Sequence, residues 1–157
     1  MTLWRLTLTL VALTVAGVAS QSVRVVDSVI GGQAGDEAAH HLAGADTTTG
    51  RWAGRTWRNA TGWFSYSLRI YDDSPLTIVC VLADGETAGE AFDVLVDGVR
   101  TARVTREAGK TKGAAVEVKL ALEDTKGKTS VVVKLAALPG SRTARLLELR
   151  TVQEHLE

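Results

Sequence analysis

Beyond its first twenty residues, hydrophobic positions in this chain recur every second residue rather than every three to four. In "AAVEVKLAL", Val116, Val118, Leu120 and Leu122 fall on one side and Glu117 and Lys119 on the other, the pattern of a half-buried strand. "TSVVVKLAAL" puts Val131, Val133 and Leu135 on one face. "AFDVLVDG" buries Phe92, Val94 and Val96, then turns at Asp97-Gly98, a pair suited to a tight hairpin that returns as "VRTARVTR". "LTIVCVLA" is apolar on both sides, which predicts a central strand; "SVRVVDSVI" opens the pattern and "TARLLELRTV" closes it. Turn signals such as "DDSP", "TKGK" and "PGSR" separate these runs, and no stretch carries a helical stripe. The expectation is an all-β fold, an antiparallel β-sandwich of about eight strands, jelly-roll or galactose-binding-like. Residues 31–61 break the rhythm: rich in Gly, Ala and Thr, they predict a long loop region laid over one end or face of the sandwich.

The first twenty residues read as a signal peptide. Arg5 supplies the positive start, Leu6 to Val15 the apolar run, and Ala16 to Ser20 the small residues before a cut between Ala19 and Ser22. That run is shorter than the roughly 20 residues a membrane span needs, so no membrane association is expected after cleavage. The mature protein is then secreted, extracellular or periplasmic, with residues 21–157 forming one β-sandwich domain. The 157-residue length suits a single domain. Its 18 basic and 18 acidic side chains cancel, which argues against a nucleic-acid partner. Cys80 is the sole cysteine, so no internal disulfide can form; among its apolar neighbours it reads as a small buried hydrophobe.

Aromatic residues are only 5% of the chain, yet three of its four tryptophans crowd into "GRWAGRTWRNATGWFSYSLRI". As a strand, the last part puts Phe64, Tyr66, Leu68 and Ile70 on the core face. Trp63 then projects from the hydrophilic side, where an indole is unexpected. Trp52 and Trp57 lie upstream among Arg51, Arg55 and Arg58. Such a surface can stack a sugar ring on indole, with guanidinium groups and Asn59 bonding its hydroxyls. The candidate ligand contacts are therefore Trp52, Arg55, Trp57, Arg58, Asn59 and Trp63, with His40 from the His-rich segment before them. The competing reading has the rings capping the sandwich under arginines, or packing on a partner domain.

"HHLAGADTTTGRWAGRTWRNATGWFSYSLRI" followed by "FDVLVDG" resembles the C-terminal β-sandwich module of β-L-arabinofuranosidase-type glycoside hydrolases, over roughly Val26 to Val152. The shared features are the His-rich start, the Thr-Gly turn, the Gly-Arg-x-Trp-Arg segment, the Gly-Trp-Phe-Ser-Tyr strand and the Val-Asp-Gly hairpin. The chain departs from that pattern at His41, Asn59 and Thr61, where Asn, Asp and Gly are expected, so no role is carried over to those three. In such enzymes catalysis belongs to a helical barrel ahead of the module. A chain running from signal peptide to sandwich has no room for one, and the resemblance implies an accessory module, not a glycosidase.

Other chemistry finds little footing. "GDEAAHH" clusters Asp36, Glu37, His40 and His41, and a helical turn would bring Asp36 near His40, but the spacing matches no strong zinc signature. Calcium could be imagined at Asp72-Asp73 or at Asp93 and Asp97, although isolated turn aspartates ordinarily bond their own backbone. No cofactor or metal is expected. The acids are scattered over turns and solvated faces, and no motif sets a nucleophile beside a base, so no catalytic residues are assigned. Asn59-Ala60-Thr61 forms a glycosylation sequon that matters only in a eukaryotic host. The functional expectation is an exported, non-catalytic accessory module that binds plant-type glycans through its Trp/Arg surface. The alternative is a structural or interaction domain whose tryptophan face packs on a partner chain such as a glycoside hydrolase.

Overall fold

The computed structural model describes residues 21–85, 89–109, 112 and 115–156; the signal-peptide expectation falls outside them. Nine strands and two short helices follow in the order β1 (Gln21–Ile30), α1 (Ala34–Ala39), β2 (Ala43–Trp52), β3 (Arg55–Arg69), β4 (Leu76–Leu82), β5 (Glu90–Val96), β6 (Val99–Arg106), β7 (Ala115–Leu120), α2 (Leu122–Thr125), β8 (Ser130–Ala137) and β9 (Leu146–Leu156). All strand pairs are antiparallel. One sheet runs β2-β3-β8-β5-β6 and the other β1-β9-β4-β7, and the two join at a single pairing, Arg58 with Leu146. The molecule is thus an antiparallel, jelly-roll-like β-sandwich.

The period-two pattern puts the core where it belongs. β4 and β5 alternate strictly between buried and half-buried positions. Phe64, Tyr66 and Leu68 of β3, Phe92 and Val94 of β5, and Val133 and Leu135 of β8 meet Ile78 and Cys80 of β4 and Leu146 and Leu149 of β9; each is fully buried. Phe64 and Tyr66 contact edge to face, with centroids 5.8 Å apart. Burial pushes the Cys80 thiol up to about 12, so it is a packing residue and not a nucleophile. Where β1 ends, Gly31 passes so close to β9 that a Cβ there would lie 2.2 Å from the Leu146 carbonyl oxygen.

The expected loop over residues 31–61 is not a loop. It holds α1, β2 and the first seven residues of β3, which raises the strand count to nine. β2 escaped the alternation test because it is an edge strand paired only with β3 and is largely solvent-exposed on both faces. Its threonines, good strand formers, were the available signal. The hairpin turn is Ala53-Gly54, both at positive φ (49° and 77°), the geometry of a two-residue turn that usually advertises itself as Asn-Gly or Asp-Gly. Alanine in that conformation hid the turn, at a cost of about 1–2 kcal/mol.

Candidate functional site

The β2–β3 hairpin sorts the expected contact residues by face. Along β3, Arg55, Trp57, Asn59 and Trp63 fall on one outer face by strand alternation, and register sets them beside Trp52, Gly50, Thr48 and Ala45 of β2, with a bulge between Ala45 and Thr47. Arg58 belongs to the opposite face. All three indoles are half-buried. They do not form one compact platform, since Trp57 and Trp63 are six residues apart on β3, about 20 Å at the strand rise.

Trp57 sits at the corner where the sheets join. Its ring crosses Gly50 so closely that a Cβ there would lie 2.4 Å from Cζ2, and the Arg145 guanidinium lies 5.6 Å from the ring centroid. Its buried indole N–H has no hydrogen-bond partner among the described residues. Nearby, Arg55 approaches Glu148 at 3.6 Å. This part of the surface is largely capped by its own neighbours.

Trp63 sits differently. Its register neighbours are Ala45 on β2 and Ala136 on β8, and Asp93 of β5 stands opposite Ala136. Small side chains therefore flank the indole on both sides. The Lys134 ammonium is 4.2 Å from the ring centroid. Asp93 is gripped by Arg103, Nε donating to Oδ1 at 2.8 Å and Nη2 to Oδ2 at 3.0 Å. That fork holds the Asp93 carboxyl below the usual carboxylate range.

Arg58 and Asn59 are not surface contacts. The Arg58 guanidinium donates to Glu37 at 2.7 and 2.9 Å and to Thr47 Oγ1 at 2.6 Å. Glu37, on α1 and 2% exposed, also accepts from the Tyr66 hydroxyl at 2.7 Å and the Gly32 N–H at 2.8 Å. Burial alone would raise the Glu37 carboxyl, but Arg58, Tyr66 and Gly32 outweigh it and hold it low. Asn59 is 6% exposed, which places the sequon acceptor inside the fold.

His40 closes α1 and lies elsewhere again. Its backbone carbonyl accepts from the Ser67 N–H, four residues along β3 from Trp63. The ring reaches Asp27 Oδ1 at 3.1 Å through Nε2, and through Nδ1 the Asp36 carbonyl at 2.8 Å and the Asp36 carboxylate at 3.2 Å. Burial works against its charge, yet these partners raise its pKa. The helical turn thus does bring Asp36 to His40, as its spacing predicts. Among the described residues no three His, Cys, Asp or Glu side chains gather as metal ligands. Asp97 instead bonds Lys128 and the Val132 N–H. Glu90, the other deeply buried carboxylate, pairs with Arg106 at 3.0 Å. No helix among the described residues is long and apolar enough to cross a membrane.

Comparison with solved structures finds this fold in carbohydrate-binding modules. A family 35 module from Clostridium thermocellum is similar with a TM-score of 0.56 and 14% identity, over 79% of this chain and 96% of that one. A family 35 module from Cellvibrio japonicus gives 0.55 and 17%, over 80% and 95%. An exo-β-1,3-galactanase from Phanerochaete chrysosporium gives 0.52 and 14%, over 85% of this chain but only 29% of the enzyme. At these identities the likeness is one of fold. No curated protein sequence matches. Residues 21–152 do match a family described as of unknown function, DUF6805, and the chain belongs to that family.

Proposed function

We propose that this protein is an exported, non-catalytic accessory module that binds carbohydrate on the outer face of its five-stranded sheet, around Trp63. The observation that carries this reading is a half-buried indole on an open sheet face, with alanines on both sides and a lysine ammonium at its ring. The apolar ring face would take the C–H face of a sugar, and Lys134 and the Asp93–Arg103 fork would bond its hydroxyls. The fold, shared with proteins named as carbohydrate-binding modules and with part of a galactanase, supports the same setting. The buried acids Glu37 and Glu90 are each tied to an arginine, which suits a module without catalysis. Resemblance to arabinofuranosidase accessory modules makes plant-type arabinose- or xylose-containing glycans the first ligands to try, and a glycoside hydrolase the natural companion.

The test is a titration of the mature protein with arabinan, arabinogalactan, xylan and cellulose fragments, followed by tryptophan fluorescence. Saturable binding to at least one is expected, weakened about tenfold or more in Trp63→Ala. Folded protein that binds none of them overturns the reading. The second reading, an interaction domain whose tryptophan face packs on a partner chain, is favoured by the cations already lying over Trp57 and Trp63. A flat titration together with stable association with a glycoside hydrolase would establish it.

A further inference from the structure

The register of the five-stranded sheet says more about what this face could hold, provided that the carbohydrate reading is right. Cross-strand partners in an antiparallel sheet line up in rows perpendicular to the strands. One such row crosses the whole sheet: Ala45, Trp63, Ala136, Asp93 and Arg103. With strands about 4.8 Å apart, Asp93 stands about 10 Å from Trp63 and Arg103 about 14 Å. Within that row the methyl group of Ala136 stands between the indole and the fork, with Lys134 reaching the ring from the same strand. The face is therefore an apolar ring at one point, a flat floor one strand on, and a fixed pair of polar groups beyond it.

We infer that the ligand is a linear oligosaccharide of about three units running across the strands, not a single terminal sugar. One unit stacks on Trp63 beside the Lys134 ammonium, the next lies over Ala136, and the third reaches Asp93 and Arg103. The strand spacing is close to the advance of one sugar along an extended chain, so each strand meets one unit. The fork is ready to bind without reorganising. Its two bonds use two of the five guanidinium N–H donors and leave the others to sugar hydroxyls. Arg103 is 49% exposed and Asp93 17%, so both can be reached from solvent.

The experiment is calorimetric titration of the mature protein with xylo-, cello- and α-1,5-arabino-oligosaccharide ladders of one to five units. It is run on the natural chain and on Asp93→Ala and Arg103→Ala, with thermal melting as the folding control. In the ladder that binds, affinity should climb stepwise to the trisaccharide and then level off. Each variant should lower trisaccharide affinity about tenfold, to the disaccharide level, without changing the melting midpoint. Equal affinity for one and three units, or a trisaccharide indifferent to both substitutions, overturns the three-unit row while leaving a sugar site at Trp63. Silence in every ladder and with the arabinogalactan fragments overturns the carbohydrate reading itself, and arabinogalactan binding alone overturns the three-unit row in these linear chains.

Discussion

Arg58 shows how much one side chain's role depends on which face of its strand it occupies. Beside Trp57 in sequence, it has the look of a surface contact, yet its guanidinium is a bidentate partner of Glu37 beneath the sheet, 13% exposed. Truncating Glu37 would strand the buried Arg58 charge and take an acceptor from Tyr66. Glu37→Ala should therefore lose about 3–5 kcal/mol in a denaturant titration, and the double change Glu37→Met with Arg58→Met should recover much of it. No local pattern links residues 37 and 58. Glu37 reads as one acid of an acidic–histidine cluster, because the partner that defines it comes from another element. Trp63 is the opposite case. Its outward direction follows from Phe64, Tyr66 and Leu68 alone, and the register agrees.

At the scale of elements, legibility tracked burial. β5 and β8 were plain in the sequence because each has one face in the core, and the hydrophobic effect writes that face as every second residue, whereas β4 shows as an apolar run because it lies between β9 and β7. β2 has no such face. It is held by hydrogen bonds to β3, by the Arg58 guanidinium donating to Thr47 Oγ1, and by the indole of Trp57 lying across Gly50. That packing yields a test. In Gly50→Ala the new methyl group would occupy the space of the ring, so the indole must leave its place beneath Arg145. The expected result is a loss of about 1–3 kcal/mol, with a shift in tryptophan emission. An unchanged melting point and spectrum would mean that the ring does not pack on β2.

For the molecule as a whole, the ion pairs around α1 set a pH window. His40 faces Asp27 and Asp36, and Arg69 reaches Asp27 at 3.7 Å. The folded state raises the pKa of His40, so its contribution is full below the unfolded value of about 6.5 and is lost as pH rises through the higher folded value. Asp27 and Glu37 are shifted down in the folded state. Their contributions are present above unfolded values of about 4 and are lost as pH falls through the lower folded ones. The melting temperature should thus be highest between about pH 5 and pH 6.5. His40→Gln should flatten the decline on the alkaline side and weaken the acid-side contribution of Asp27, which His40 helps hold low, while leaving that of Glu37 in place; an alkaline decline that persists would assign it to another group.

The sequence by itself determined the class of fold, most of the strands, the burial of Cys80 and the outward aim of Trp63. The burial of Cys80 follows from the apolar run around it and the others from alternation within one segment, and both are local consequences of a strand meeting the core. Tertiary structure decided the rest: that residues 43–52 form a strand, that Arg58 turns inward and Asn59 is covered on its own face, that His40 belongs to a carboxylate cluster away from the indoles, and that Trp63, Asp93 and Arg103 stand in one row. Those outcomes depend on which strands lie side by side and in what register, a relation among residues as far apart in the chain as Trp63 and Ala136 that no single segment contains.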